Sequence, residues 1–161
     1  VVYISSTRMS RPHQILGTEF RFVLCKKQAI FGITELWVDK NEKIRVSDLE
    51  RTLLDGLRHP LYCGGFTEVA KAFSIKHQDI DTQKLIDYAI QLNVGAVYRR
   101  LGFLMELYNI GQSIHLQLLQ TKLTDTYQLL DPNLPAEGSY IAKWRLRLNV
   151  TPEELIQVRA T

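Results

Sequence analysis

Apolar positions recur every second residue through residues 1–47, every third or fourth from residue 48 to about residue 120, and every second residue again over 140–150. The first stretch predicts short strands. Residues 1–4 are β-prone, and Phe20, Phe22 and Leu24 alternate with Arg21, Val23 and Cys25 as in a half-buried strand. Leu36-Trp37-Val38 and Lys43-Ile44-Arg45-Val46 flank Asp39-Lys40-Asn41-Glu42, a hairpin signal, with Gly32 breaking the chain ahead of it.

The change of period coincides with Ser47-Asp48-Leu49-Glu50, which predicts a capping box in which Ser47 is the N-cap and Glu50 closes it. Leu49, Leu53, Leu54 and Leu57 then form one apolar stripe, and Pro60 predicts a stop near Arg58. Gly64-Gly65 opens a second helix with Phe66, Val69, Ala70 and Phe73 inward. A third starts near Asp81-Thr82 on Leu85, Ile86, Ala89 and Leu92. A fourth follows Asn93 on Val94, Val97, Leu101, Leu104, Met105 and Tyr108, stopped by Gly111. A short fifth is capped by Ser113 and uses Leu116, Leu118 and Leu119.

After a loop marked by Pro132, Pro135 and Gly138, the alternation of Tyr140, Ala142, Trp144, Leu146, Leu148 and Val150 with Ile141, Lys143, Arg145, Arg147 and Asn149 predicts one long strand. Thr151-Pro152-Glu153-Glu154 carries the N-cap, first-turn Pro and capping Glu of a final helix. Strands, then helices, then a returning strand predict an α+β fold: a small mixed or antiparallel sheet packed against a layer of about five helices. The expectation is a single domain over residues 1–161.

Composition narrows the class. The chain is 45% hydrophobic and 23% charged, which excludes a wholly disordered protein. Its net charge of +3 does not demand a nucleic-acid partner, but tolerates an anionic one. No apolar run reaches the roughly eighteen residues of a membrane span, and no signal-peptide order opens the chain, so no membrane is expected. Cys25 and Cys63 make no disulfide framework, and a reducing cytoplasm is the simplest compartment. The opening Val1-Val2-Tyr3-Ile4 lacks Met and reads as the interior of a longer protein.

Motifs for catalysis are missing. His59 and Cys63 are four apart, but Pro60 lies between them and no third or fourth ligand follows, so no metal and no cofactor is expected; the reading is a loop residue and a buried thiol. Gly64-Gly65 lacks a Walker lysine and reads as a tight loop. Asp48, Glu50, Asp55 and Glu68 cluster in sequence, yet no lysine has a carboxylate two residues before it, the spacing that metal-dependent nucleases use. Asp55 lies four after Arg51, where a helix-surface pair forms. The electrostatic candidates are Lys143, Arg145 and Arg147, expected on one strand face, with Arg99-Arg100 a second and weaker pair; phosphates, plain solvent or carboxylates on a neighbouring helix would suit such a row.

The capped helix sequence, residues 46–55, with Pro60 and Gly64-Gly65 after it, resembles the signature of the AbiEi-family antitoxins, regulators of type IV toxin–antitoxin and phage-defence systems. The resemblance continues through Asp87-Tyr88-Ala89, Arg99-Arg100-Leu101-Gly102-Phe103-Leu104, Leu130-Asp131-Pro132, Trp144-Arg145-Leu146 and Asn149-Val150, and upstream through Ile33, Glu35, Trp37 and Val38. It implies the C-terminal domain of a transcriptional autoregulator. Family members carry an N-terminal winged helix–turn–helix that binds operator DNA, which would end near Val1 and lie outside this chain. The partner would be a nucleotidyltransferase-like toxin, opposed without a stable complex. No catalytic residue is expected. Ser47, Glu50, Arg51, Asp55, Pro60, Gly64, Gly65 and Trp144 are expected to be structural. The rivals are a metal-dependent nuclease-like or nucleotidyl-transfer enzyme built on Asp48, Asp55 and Glu68, and a plain dimerisation domain of the regulator.

Overall fold

The computed structural model describes residues 1–157. The chain divides between Asp48 and Leu49 into two compact units. The division falls where the hydrophobic period changes.

The first unit, Val1–Asp48, is all strand apart from one short 3-10 turn. β1 (Val2–Ser6) runs parallel to β3 (Thr18–Leu24), and β2 (His13–Ile15) pairs antiparallel on the other side of β3. Ile15 opposes Thr18, so Leu16-Gly17 is a two-residue hairpin loop, and both residues have positive φ (49° and 79°), as the twist-matched hairpin turn requires. β4 (Ile33–Trp37) and β5 (Lys43–Ser47) form the expected hairpin. Its loop is held by Asp39 Oδ1, which accepts from the Asn41 and Glu42 N–H groups. No residue of this unit is buried.

The second unit runs from Leu49 onward and holds the entire apolar core. Its helices are α1 (Leu49–Arg58), α2 (Phe66–Lys76), α3 (Thr82–Leu92), α4 (Gly95–Leu107), α5 (Ser113–Gln120) and α6 (Pro152–Gln157). A mixed sheet of β6 (Gln128–Leu129), β7 (Ser139–Ile141) and β8 (Leu146–Leu148) has β8 in the centre, parallel to β6 and antiparallel to β7. The fold class is α+β. α1 packs on α2, α3 and α4, and α4 packs also on α5. Nine of the thirteen residues of α4 are buried, as expected of a helix that is apolar all round. Gly102 of α4 matters here, because a methyl group at that position would land inside the Trp144 indole.

The predicted stripes of α1 to α4 are the ones the core uses: Leu53, Leu54, Leu57, Phe66, Val69, Ala70, Phe73, Leu85, Ile86, Ala89, Val97, Leu101, Leu104 and Met105 are all buried. Several local expectations change. Ser47 ends β5, opposite Ile33, and Glu50 directs its carboxylate to α3, where Oε1 accepts from the Asp81 N–H at 3.0 Å and Oε2 pairs with Lys84 at 2.8 Å; Glu50 is a long-range link, not the closing half of a local box. The box expected at the other end does form. Thr151 Oγ1 accepts from the Glu154 N–H, and Glu154 accepts from the Thr151 N–H. α4 ends before Gly111, at the left-handed Asn109. The cap of α5 is Gln112, which exchanges bonds with His115, and Leu118 stays exposed.

The predicted strand over 140–150 is a hairpin. Residues 142–145 turn, with the Arg145 N–H bonded to Ala142 O and Arg145 at φ 51°. The turn keeps Trp144 buried while moving Tyr140 to the opposite face from Leu146 and Leu148.

Candidate functional site

Two sets of arginines in the second unit contrast, one built into the interior and one at the outer face of the β6–β8–β7 sheet.

Arg99 and Arg100 belong to the interior. They sit mid-helix in α4 with apolar neighbours on every side, and are only 1% and 4% exposed. Arg99 donates to Gly95 O at 2.8 Å, Thr124 O at 3.0 Å, Thr124 Oγ1 at 2.7 Å and Thr126 O at 2.9 Å. Arg100 donates to Leu57 O at 2.7 Å and Leu129 O at 3.2 Å. Leu57 O is one of the last carbonyls of α1, which the helix itself leaves unpaired. Arg100 therefore ties the end of α1 and the strand β6 to α4. Burial brings its pKa down to about 10, opposed by the nearby Asp131, so it remains cationic at neutral pH. The expectation that Arg99 and Arg100 contact phosphate is corrected: both guanidiniums are enclosed and already engaged by main-chain carbonyls.

The carboxylates are likewise committed. Asp55 accepts from Arg51 Nε at 2.9 Å on α1, as its spacing predicted, although Arg51 is buried rather than on the surface. Glu50 is held by α3. At Gly64-Gly65 the chain supplies its own anion: Asp131 Oδ2 accepts from the Phe66 N–H at 3.1 Å, at the start of α2. Asp131 Oδ1 accepts from the Asn133 N–H, and Asn149 clasps the Asp131 backbone from both sides, accepting from its N–H at 2.9 Å and donating to its carbonyl at 2.8 Å. Gly64 and Gly65 both take positive φ (87° and 107°), which the tight passage after Pro60 requires.

His59 stacks on Tyr62, with burial pushing its imidazole below the ordinary range and Arg58 adding to the shift. Cys63 is exposed, not the buried thiol expected, though partial burial of its sulfur holds the thiol above its usual pKa. Among the described residues no three His, Cys, Asp or Glu side chains gather as a metal site, and no helix is long and apolar enough to cross a membrane.

The outer sheet face is different. Leu146 and Leu148 point into the core, so Arg147 between them stands on the other side of the strand, and Arg145, in the turn ahead of β8, lies over the Tyr127 ring. Arg147 Cζ lies 5.1 Å from the Tyr140 ring centroid and Arg145 Cζ 5.6 Å from that of Tyr127. The two rings meet edge to face at 5.1 Å. Tyr140 is 59% and Tyr127 39% exposed. Arg147 also donates to Gly138 O, and Arg145 reaches Tyr127 Oη and the fully exposed Asp125 at 3.6 Å.

Lys143 does not join this row. It pairs with Glu106, whose other oxygen accepts from Trp144 Nε1 at 2.8 Å. The predicted three-residue row is thus two arginines interleaved with two tyrosines. Alternation alone picks out Arg145 and Arg147 but places Tyr140 inward and leaves Tyr127 unmarked. The missed signal was Tyr127 just ahead of the apolar Leu129-Leu130 pair. No protein family, no curated protein and no solved structure matches the chain.

Proposed function

We propose that this chain is the C-terminal domain of an AbiEi-like antitoxin and transcriptional autoregulator, a non-enzymatic cytoplasmic protein that opposes a nucleotidyltransferase-like toxin without a stable complex. The observation that carries this reading is that the resembling segments, scattered along the sequence, bond one another within the second unit. Arg100 holds the end of the residue 46–55 segment's helix through Leu57 O, Asp131 holds the helix that Gly64-Gly65 opens, and Asn149 holds Asp131. The polar members of the ordered motif series are thus engaged with one another in a single framework. This favours a regulator over the nuclease-like rival, which needs Asp48, Asp55 and Glu68 to converge on a metal ion, whereas Asp55 is paired with Arg51. Operator recognition belongs, in this reading, to the winged helix that family members carry ahead of this domain.

The test is growth rescue. The reading requires a nucleotidyltransferase-like protein encoded beside this gene; cells expressing that protein should recover when the antitoxin is supplied, and should lose that recovery when residues 49–157 are deleted. Recovery undiminished by the deletion contradicts the proposal. So does a Mg²⁺- or Mn²⁺-dependent nuclease or nucleotidyl-transfer activity of the purified chain that disappears in Asp55→Asn.

A further inference from the structure

On the outer face of the β6–β8–β7 sheet two half-buried arginines flank two exposed tyrosines in the order cation, ring, ring, cation: Arg145, Tyr127, Tyr140, Arg147. We propose that this face binds single-stranded nucleic acid, with bases stacking against Tyr127 and Tyr140 and phosphates pairing with Arg145 and Arg147.

Three features select this ligand. The first is ring exposure. A solvated sheet face needs polar side chains and has no use for two large rings standing 59% and 39% in water. These rings are held upright by each other and by the guanidiniums, not by the core, so their outward surface is arranged before any ligand arrives. The second is the pairing of ring with cation. A duplex offers phosphates but keeps its base faces stacked inside, so it would use the arginines and ignore the tyrosines. An acidic protein surface would do the same. A single strand offers a charged backbone and free base faces together.

The third is availability. Arg147 has no carboxylate partner among the described residues, and Arg145 has only the fully exposed Asp125 at 3.6 Å, a weak and solvent-screened pair that a phosphate can displace. Lys143 is engaged by Glu106 and is left out of the site. The inference rests on this face alone and stands or falls separately from the antitoxin reading.

The probe is fluorescence anisotropy of the full chain with labelled oligothymidylate of about a dozen nucleotides, and with a mixed-sequence duplex of the same length, at two salt concentrations. The single strand should bind about tenfold or more tightly than the duplex. Tyr127→Ala and Tyr140→Ala should each weaken it about tenfold, while Tyr127→Phe and Tyr140→Phe, which keep the ring, should leave it within about twofold. Arg145→Gln with Arg147→Gln should flatten the log–log salt dependence by about 1.4, the release expected for two phosphates on a single strand.

Equal affinity for strand and duplex, indifferent to the tyrosines, would overturn the proposal in favour of a duplex-backbone patch. Tighter binding of polyglutamate than of oligothymidylate would overturn it in favour of an acidic protein partner. No binding at low salt by the folded chain would return the face to solvent. The Phe and Gln variants are conservative on an exposed face, and a melting curve for each confirms that binding is read on folded protein.

Discussion

Arg99 and Arg100 on α4, and Arg145 and Arg147 at β8, carry the same guanidinium into opposite surroundings. The first pair is buried and donates to five main-chain carbonyls, of Leu57, Gly95, Thr124, Thr126 and Leu129, and to the Thr124 hydroxyl. The second pair faces water and lies over tyrosine rings. A buried guanidinium is costly to desolvate and stays only where its donors are used, so it becomes a cross-link between elements. An exposed one beside an aromatic ring holds its charge and its donors ready for a ligand. Charge in a sequence is thus no guide to a binding site until burial is known.

The largest expected effect would break the interior side of this contrast. Arg100→Met removes the donor to Leu57 O and Leu129 O and strands both carbonyls, which should cost about 3 kcal/mol or more in urea unfolding. Arg99→Lys should cost about 2–3 kcal/mol despite keeping the charge, because an ammonium cannot reproduce the planar fork that spans Gly95, Thr124 and Thr126. Neither variant should alter ligand binding by protein that remains folded. A loss of less than about 0.5 kcal/mol in both would remove the structural role assigned to them.

A smaller effect is expected at the boundary between the two environments, where Trp144 lies against Gly102. Gly102→Ala should destabilise by about 1–3 kcal/mol, because the methyl group collides with the indole. The gain in helix propensity offsets less than about 1 kcal/mol of that. Thermal melting that rises in this variant would show that α4 and Trp144 do not pack as described.

Smaller again is the acid response of Glu106. Partial burial disfavours its charged form, but hydrogen bonds from Lys143 and Trp144 outweigh this and leave its pKa below the ordinary 4.5. A carboxylate with a depressed folded pKa adds stability that is complete above its unfolded pKa and is lost as pH falls through the folded value. Part of the stability present near neutral pH should therefore disappear below about pH 4.5, and Glu106→Gln should flatten that limb of the curve. The smallest effect completes the contrast: Arg145→Gln and Arg147→Gln should shift stability by no more than about 0.5 kcal/mol.

Much of the fold was legible in the hydrophobic pattern, since the stripes of α1 to α4 are set by apolar spacing alone. What the pattern missed depends on partners distant in sequence. Ser47…Glu50 and Thr151…Glu154 carry the same capping signal, but only the second forms. Pro152 starts its helix directly after Thr151, whereas Ser47 is taken up by the ladder with Ile33 and Glu50 by α3.

The alternation over 140–150 read as one strand because the turn at 142–145 returns Trp144 to the core and so preserves the pattern through a reversal. For Arg99 and Arg100 a signal was present and not used: α4 is apolar on all sides, so arginines in its middle have no solvent face to occupy. In the first unit the strands were readable, but their parallel β1–β3 pairing was not, because alternation specifies a face and leaves the neighbour open.

The most direct test of the contrast between the two arginine pairs is nuclear magnetic resonance of the arginine Nε–H groups during titration with oligothymidylate. Arg99 and Arg100 Nε are buried and bonded to no acceptor among the described residues. Their signals should be protected from exchange and remain fixed throughout, while those of Arg145 and Arg147 should exchange rapidly and shift as ligand is added. Rapid exchange of the Arg99 and Arg100 signals, or their movement on titration while Arg145 and Arg147 stay still, would contradict the assignment of structure to the first pair and recognition to the second.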